Sequence, residues 1–399
     1  MALFNSTAPC PYCYEKINPN ALAVRCSGRP SPGKTACAEV PDKRRNACFG
    51  DATPVRPVIV DVNGKEKLSR NEATCGNCGS VSAIRVCPAC HSRLPRNFDS
   101  DSPLFGLVGV RNSGKTVTLA VLQRELYTTI ARRFNASIDS PGGKSGLSAD
   151  LENLLKTMED TAGVLPPQTA ANASGVSIPA VFEWRYSKKG LANRSRDVST
   201  IFSFYDTAGE DLATQDRALG QHYLDATNGV ILLLDPFGFP GNHDKAIARG
   251  VDPASLETTP ETVLRSIITV LQNAERTKRN KKIKQPVAVV VSKIDAFFDD
   301  VPPDHPMRRP AQRLPYFDDT ESRSIHDHVA AMVDSWGGDP LLRLLDTNFE
   351  KYRLFGASAL GAEPEYGTKR VNSRGLLPHR VADPLLWLMA DRGFLPKES

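Results

Sequence analysis

Two groups of residues in this sequence have the types and spacing to do chemistry. The first is Gly109-Val-Arg-Asn-Ser-Gly-Lys-Thr116. Its glycines allow the backbone to curl so that successive N–H groups converge on phosphate oxygens. Lys115 can then reach the β- and γ-phosphates, and Thr116 can offer its hydroxyl to Mg²⁺. The N-terminus of a following helix would add partial positive charge. The cradle residues are Gly109, Arg111, Asn112, Ser113, Gly114, Lys115, Thr116 and Val117. The second group is cysteine: all nine lie within the first 90 residues. The pairs Cys75-Gly-Asn-Cys78 and Cys87-Pro-Ala-Cys90 predict one tetrahedral Zn²⁺ site; four thiolates leave no open position, so such a zinc is structural. Gly79 and Pro88 suit the tight turns this needs. A second zinc set is expected from Cys10, Cys13, Cys26 and Cys37, with Cys48 as the substitute for Cys37. Spacing also permits a nested arrangement in which pairs are exchanged between the two sets. His91 beside the last pair could substitute for Cys90 as a ligand, but four thiolates need no fifth donor, and it reads as a surface residue.

The elements that must position these groups are legible. Leu104–Val110 is an apolar run and Val117–Leu126 is helix-like, so the glycine loop joins a strand to a helix, as a phosphate-binding loop requires. Val198–Tyr205 alternates like a strand and runs into Asp206-Thr-Ala-Gly209. Asp206 is placed to hold Mg²⁺ through water, and Gly209 to bring a backbone N–H to the γ-phosphate; loss of that phosphate frees the loop. Pro286–Ser292 has a buried-strand pattern and leads to Ser292-Lys-Ile-Asp295. The Asp295 carboxylate could accept from guanine N1–H and N2–H₂, a donor pair adenine lacks, while the stem of Lys293 covers the base. Tyr352–Ala357 leads to Ser358-Ala359, where a backbone N–H could meet guanine O6.

In this order and context the motifs resemble the Ras-like GTPases of the translation-factor-related P-loop class, over most of residues 104–399. The zinc-module-plus-GTPase layout also resembles bacterial GTPases of the double-GTPase type. The resemblance implies an α/β P-loop NTPase fold, a mostly parallel sheet with helices on both faces, preceded by a small zinc-bound β-rich module. It implies GTP/GDP and Mg²⁺ as ligands. Four positions depart from the family pattern or need assignment within it. Glu210 stands where many Ras-like proteins carry the glutamine that orients water, so slow intrinsic hydrolysis is expected. Arg111 faces the γ-phosphate position and is a candidate arginine finger in cis. Thr169, in Leu165-Pro-Pro-Gln-Thr169, is the candidate switch I threonine. Ser292 replaces the commoner asparagine and should brace its loop with fewer bonds.

The chain of 399 residues is expected to divide into a zinc-ribbon-like module at 1–98, a linker at 99–103 and a G domain at 104–399. Insertions are expected near 139–175, 236–257 and 296–319. Within the module, Val55–Lys65 alternates into an Asn-Gly turn, a hairpin signal. Helices are expected at 149–158, 258–280, 321–349 with a break at Gly337-Gly338, and 382–390. Residues 1–100 carry 14 Lys/Arg against 8 Asp/Glu. Two tetrathiolate zinc sites would cancel most of that excess, and few aromatic residues interleave with the basic ones, so nucleic acid is not the favoured partner. No run approaches the ~18 apolar residues of a membrane span, and no secretion signal opens the chain, so a cytoplasmic location is expected. The function expected is a Mg²⁺-dependent GTP-binding switch that engages protein partners through its switch loops and zinc module. A non-hydrolysing nucleotide-bound scaffold is the first alternative. The second is a P-loop ATPase with a nucleic-acid-binding zinc ribbon.

Overall fold

The computed structural model describes residues 7–60, 72–95, 98, 104–109, 113–140, 147–160, 163–166, 178–189, 195–204, 226–251, 253–256, 259–274, 281–365 and 368–398. In the N-terminal module these give β1 (Ala23–Arg25), α1 (Lys43–Phe49), β2 (Val58–Val60) and β3 (Ile84–Val86). The strands form a sheet of order β2-β1-β3, antiparallel throughout, flanked by two-residue ladders. β2 lies within the stretch read as a hairpin at Val55–Lys65; it pairs with β1, and the Asn-Gly turn of that reading lies outside the described residues. Asp42 caps α1 by accepting from the Arg44 and Arg45 N–H groups, and Gly50, at φ 65°, ends it.

The rest of the chain runs β4 (Phe105–Gly109), α2 (Lys115–Glu125), β5 (Ala136–Asp139), α3 (Leu147–Glu159), β6 (Ala180–Lys189), β7 (Ser195–Phe204), β8 (Gly229–Leu234), α4 (His243–Ala248), α5 (Pro260–Ala274), β9 (Val287–Val291), α6 (Asp319–Ser335), α7 (Asp339–Asn348), β10 (Tyr352–Gly356) and α8 (Asp383–Asp391). Strands β4, β8, β9 and β10 form a parallel sheet in that order. Their apolar runs reflect burial on both faces: β8 and β9 are buried at every position. Alternation sorts the side chains. Leu107, Ile231, Leu233, Val290 and Phe355 face a core closed by α2, α3 and α8. Val108, Leu232, Leu234, Val289 and Leu354 face a second core closed by α5, α6 and α7.

A second, antiparallel sheet of order β5-β6-β7 lies with β7 beside β4. This arrangement, a parallel sheet extended at its P-loop strand by an antiparallel pair, is the Ras-like P-loop α/β fold. The helix read at 321–349 is two, α6 and α7, broken at the glycine pair. The helix expected at 258–280 begins at Pro260 and is described to Ala274.

The β6–β7 pair divides its faces between two cores. Ala180, Phe182, Trp184, Tyr186, Phe202 and Phe204 enter the α2-side core. Val181 and Ile201 point the other way, into a buried cluster with Cys10, Tyr12, Cys87, Cys90 and Phe98. The period of two along a strand makes this possible. The N-terminal module is therefore packed against the hairpin.

Candidate nucleotide site and cysteine clusters

The sheet brings the described nucleotide motifs to one edge, where ligands of open α/β sheets bind. The register sets Gly109 beside Leu233, Leu234 beside Val291, and Val291 beside Gly356. The loops after β4, β9 and β10 thus leave from neighbouring carboxyl ends. A side chain at Gly109 would have to displace its neighbours: an added Cβ would lie 2.6 Å from Ser113 Oγ and 3.1 Å from the Leu233 carbonyl oxygen. Gly114 takes φ 77° and starts α2 without a side-chain cap hydrogen bond. Lys115 is 9% exposed, and Ser113 Oγ is buried with no hydrogen-bond partner among the described residues. Thr116 and Val117 follow in the first turn of α2. Arg111, Asn112, Thr169, Asp206, Gly209 and Glu210 lie outside the described residues.

The loops after β9 and β10 are braced from several directions. Ser292 Oγ donates to the Leu234 carbonyl at 2.9 Å, tying the loop to the end of β8. Lys293 adopts φ 51° and its ammonium pairs with Asp235 at 2.6 Å. Asp235 also caps the turn at Pro236–Gly238 by accepting from Phe237 N–H. Burial raises the Asp295 pKa above the ordinary aspartate value, with the Ser358 hydroxyl opposing the shift. Asp295 Oδ1 is a buried acceptor with no donor among the described residues. Ser358 exchanges backbone hydrogen bonds with His379, while its hydroxyl accepts from Gly361 N–H at 2.8 Å. Ala359 follows, partly buried against the α2-side core. Arg249 holds Glu363 through two nitrogens, at 2.7 and 3.0 Å, and donates to the Ala296 carbonyl, linking the Asp295 and Ser358 loops. Sequence reading missed Asp235, Arg249 and His379. An acidic residue closing the buried run Gly229–Leu234 was the available signal for Asp235; the other two lie far from any motif.

The cysteine sets require correction. The structure joins Cys10 and Cys13 to Cys87 and Cys90, and Cys26 and Cys37 to Cys75 and Cys78. This is the nested arrangement, not the sequential sets of Cys10, Cys13, Cys26, Cys37 and Cys75, Cys78, Cys87, Cys90. The reason is strand pairing. Ala23 of β1 lies opposite Val86, so the chain leading into β1 meets Cys87; Arg25 lies opposite Ile84, so Cys26 meets the Cys75 side. Cys48 joins neither set and lies 3.9 Å from the Ala89 carbonyl oxygen. Within the sets, Sγ–Sγ separations are 3.9 and 3.8 Å in the first and 3.5 and 3.6 Å in the second. The edge of a ZnS₄ tetrahedron with ~2.3 Å bonds is about 3.8 Å, so the donor geometry fits zinc; it is far from a ~2.05 Å disulfide.

Three turns repeat one pattern. Tyr14, Gly79 and His91 follow the second cysteine of their pairs with φ of 61°, 71° and 55°. Each donates its N–H to the carbonyl of the first cysteine. Ser80 Oγ lies 3.2 Å from the sulfurs of both Cys26 and Cys78, and hydrogen bonds from Ser80 lower the Cys78 pKa to about 6.

His91 is also corrected: it is 8% exposed, and its Nδ1 lies 2.9 Å from both Asp42 carboxylate oxygens. Arg25 bonds both Asp42 and the His91 carbonyl, so one buried carboxylate ties the neighbours of Cys26 and Cys90 to the start of α1. Burial raises the Asp42 pKa, but the Arg45 N–H, His91 and Arg25 outweigh it, and the net shift is downward.

No protein-family profile matches this chain. A protein of Mycolicibacterium smegmatis, SaeC, named for a proposed role in ESX-1 scaffolding and assembly, is 23% identical over 97% of this chain and 99% of its own length. Among solved structures, the chain is similar to the Arl6 small GTPase of Trypanosoma brucei with a bound nucleotide analogue, at 13% identity over 74% of this chain and 99% of that one, TM-score 0.29. It is also similar to the GTPase-like domain of Ski7 from S. cerevisiae bound to GTP, at 13% identity over 76% and 53%, TM-score 0.33. The fold described above rests on strand order, not on these likenesses. Among the described residues, no helix is long and apolar enough to cross a membrane.

Proposed function

We propose that this chain is a Mg²⁺-dependent guanine-nucleotide switch with slow intrinsic hydrolysis, whose zinc-clamped N-terminal module and switch loops engage protein partners. The observation that carries the reading is Asp295: a buried carboxylate oxygen without a donor among the described residues, one parallel strand away from Ser358 and on the same sheet edge as the strand that leads into the Gly109–Thr116 loop. The loop amides and Lys115 would bind phosphates, Thr116 and Asp206 would hold the Mg²⁺, and Gly209 would report the γ-phosphate. Ser292, Lys293, Asp295, Ser358 and Ala359 would bind the base. Bound Mg²⁺ would supply charge neutralisation at the phosphates. Glu210 cannot donate a hydrogen bond to the γ-phosphate when ionised and would repel it, which predicts slow turnover.

The test is nucleotide affinity of the purified protein for GTP, ATP and XTP with Mg²⁺, in wild type and Asp295→Asn. A preference for GTP over ATP that moves toward XTP in the variant is expected. Equal or tighter binding of ATP would return the loop to an ATPase reading.

A second reading, a nucleotide-bound scaffold that does not hydrolyse, has one specific support: the similarity to SaeC spans almost the whole chain, and that protein is named for scaffolding and assembly. Phosphate release separates the two. Slow multiple turnover supports the switch, and none at all supports the scaffold. Single-turnover cleavage as fast as a stimulated GTPase would refute the role given to Glu210.

A further inference from the structure

The two cysteine clusters differ in what they touch. The Cys26/Cys37/Cys75/Cys78 cluster packs with Ile59 inside the module. The Cys10/Cys13/Cys87/Cys90 cluster is built into the β6–β7 hairpin. Ser203 of β7 donates its hydroxyl to the Pro11 carbonyl at 2.7 Å and lies 3.2 Å from the Tyr14 hydroxyl. Ser203 stands opposite Val181 in the register, on the face that meets the module. Val181, Ile201 and Ile178 share a buried cluster with Cys10, Cys87 and Cys90.

Tyr14 is the second contact. It occupies a left-handed backbone position that glycine fills in the equivalent turn at Gly79. Its side chain is 4% exposed and belongs to the core that contains Leu104 and Val108, at the strand that delivers Gly109. One cysteine knuckle, residues 10–14, is therefore hydrogen-bonded to β7, which leads along the chain into Asp206-Thr-Ala-Gly209, and shares a buried core with β4, which leads into the Gly109–Thr116 loop.

We infer that the Cys10/Cys13/Cys87/Cys90 knuckle is the element through which the N-terminal module responds to the nucleotide, with Ser203 and Tyr14 as positioning residues. The inference rests on the guanine-nucleotide reading above. Displacement of β7 when the nucleotide changes is carried by the Ser203 hydroxyl to the Pro11 carbonyl and Tyr14, loosening or tightening the four thiolates. Linkage makes the effect reciprocal: what the nucleotide does to the knuckle, the knuckle does to nucleotide affinity. The second cluster lacks these contacts among the described residues and serves as an internal control.

The experiment uses the full chain, zinc-loaded, saturated with GDP or with a non-hydrolysable GTP analogue. Each sample is alkylated slowly with iodoacetamide, and each cysteine is followed by peptide mass spectrometry. The expected result is a change of about fivefold or more between nucleotide states at Cys10, Cys13, Cys87 and Cys90, with no change at Cys26, Cys37, Cys75 and Cys78. Ser203→Ala, still holding two zinc ions per chain, should abolish the difference and shift the GDP release rate by a similar factor. Tyr14→Phe, which removes only a hydroxyl, should reduce it. Equal alkylation rates in nucleotide-saturated wild type would overturn the inference and leave the guanine-nucleotide reading standing. So would a difference that survives Ser203→Ala unchanged. Failure to load either nucleotide would overturn both.

Discussion

Replacing Cys90 with serine tests the nested cysteine arrangement most directly. In the structure, the first cluster ties Cys10 to Cys90 and Cys13 to Cys87 across sequence separations of 80 and 74 residues. Treated as a cross-link, closing a loop of ~75 residues restricts the unfolded chain by about 4.5 kcal/mol, whereas the ~13-residue step between Cys13 and Cys26 in a sequential set would restrict it by about 3 kcal/mol. Losing the nested site thus removes a constraint comparable to the whole stability of a marginal domain. Cys90→Ser is expected to lower the zinc content from two ions per chain to one. Alkylation with peptide mapping should then find Cys10, Cys13 and Cys87 reactive together, with Cys26, Cys37, Cys75 and Cys78 still protected. The reasoning fails if Cys75 and Cys78 become reactive with Cys87 while Cys10 and Cys13 stay protected, because that is the sequential arrangement.

Two further outcomes follow from the buried polar groups. Asp42→Ala leaves Arg25 and His91 without their carboxylate and removes the α1 cap. A cost of about 3 kcal/mol is expected, measured as a lower denaturant midpoint and faster zinc loss to chelator; an unchanged midpoint would show that the network contributes nothing. His379 donates to the Met307 carbonyl, and burial lowers its pKa to about 4. The unfolded chain, with a histidine pKa near 6.5, binds more protons between these values, so stability falls as pH drops from about 6.5 toward 4, by on the order of 3 kcal/mol. Comparing wild type with His379→Gln by denaturant titration across that range should show the wild type losing more, and parallel pH curves would refute it.

Local chemistry was readable wherever a few adjacent residues suffice. The strand–loop–helix at Gly109–Thr116, the buried runs that became β8 and β9, and the turn geometry at Gly79 depend on neighbours in the chain. The break between α6 and α7 was legible for the same reason. The bracing of the base site was not: Arg249 and His379 reach it only because the fold returns them to the loops after β9 and β10. His91 looked exposed because nothing near it in sequence reveals Asp42.

What the sequence alone determined was the inventory: eight cysteines able to make two tetrahedral sites, a glycine loop of phosphate-binding pattern, and the strand and helix on either side of it. What only the tertiary structure decided was which cysteines share a site and what that site touches. Paired thiolates are interchangeable to a metal, and loop closure distinguishes the alternatives by only about 1.5 kcal/mol for the site that holds Cys13. The antiparallel pairing of Ala23–Arg25 with Ile84–Val86 settles the choice. It sets Cys87 beside the N-terminal turn, and the alternation of β6 and β7 then seats that turn on the strand leading to Asp206.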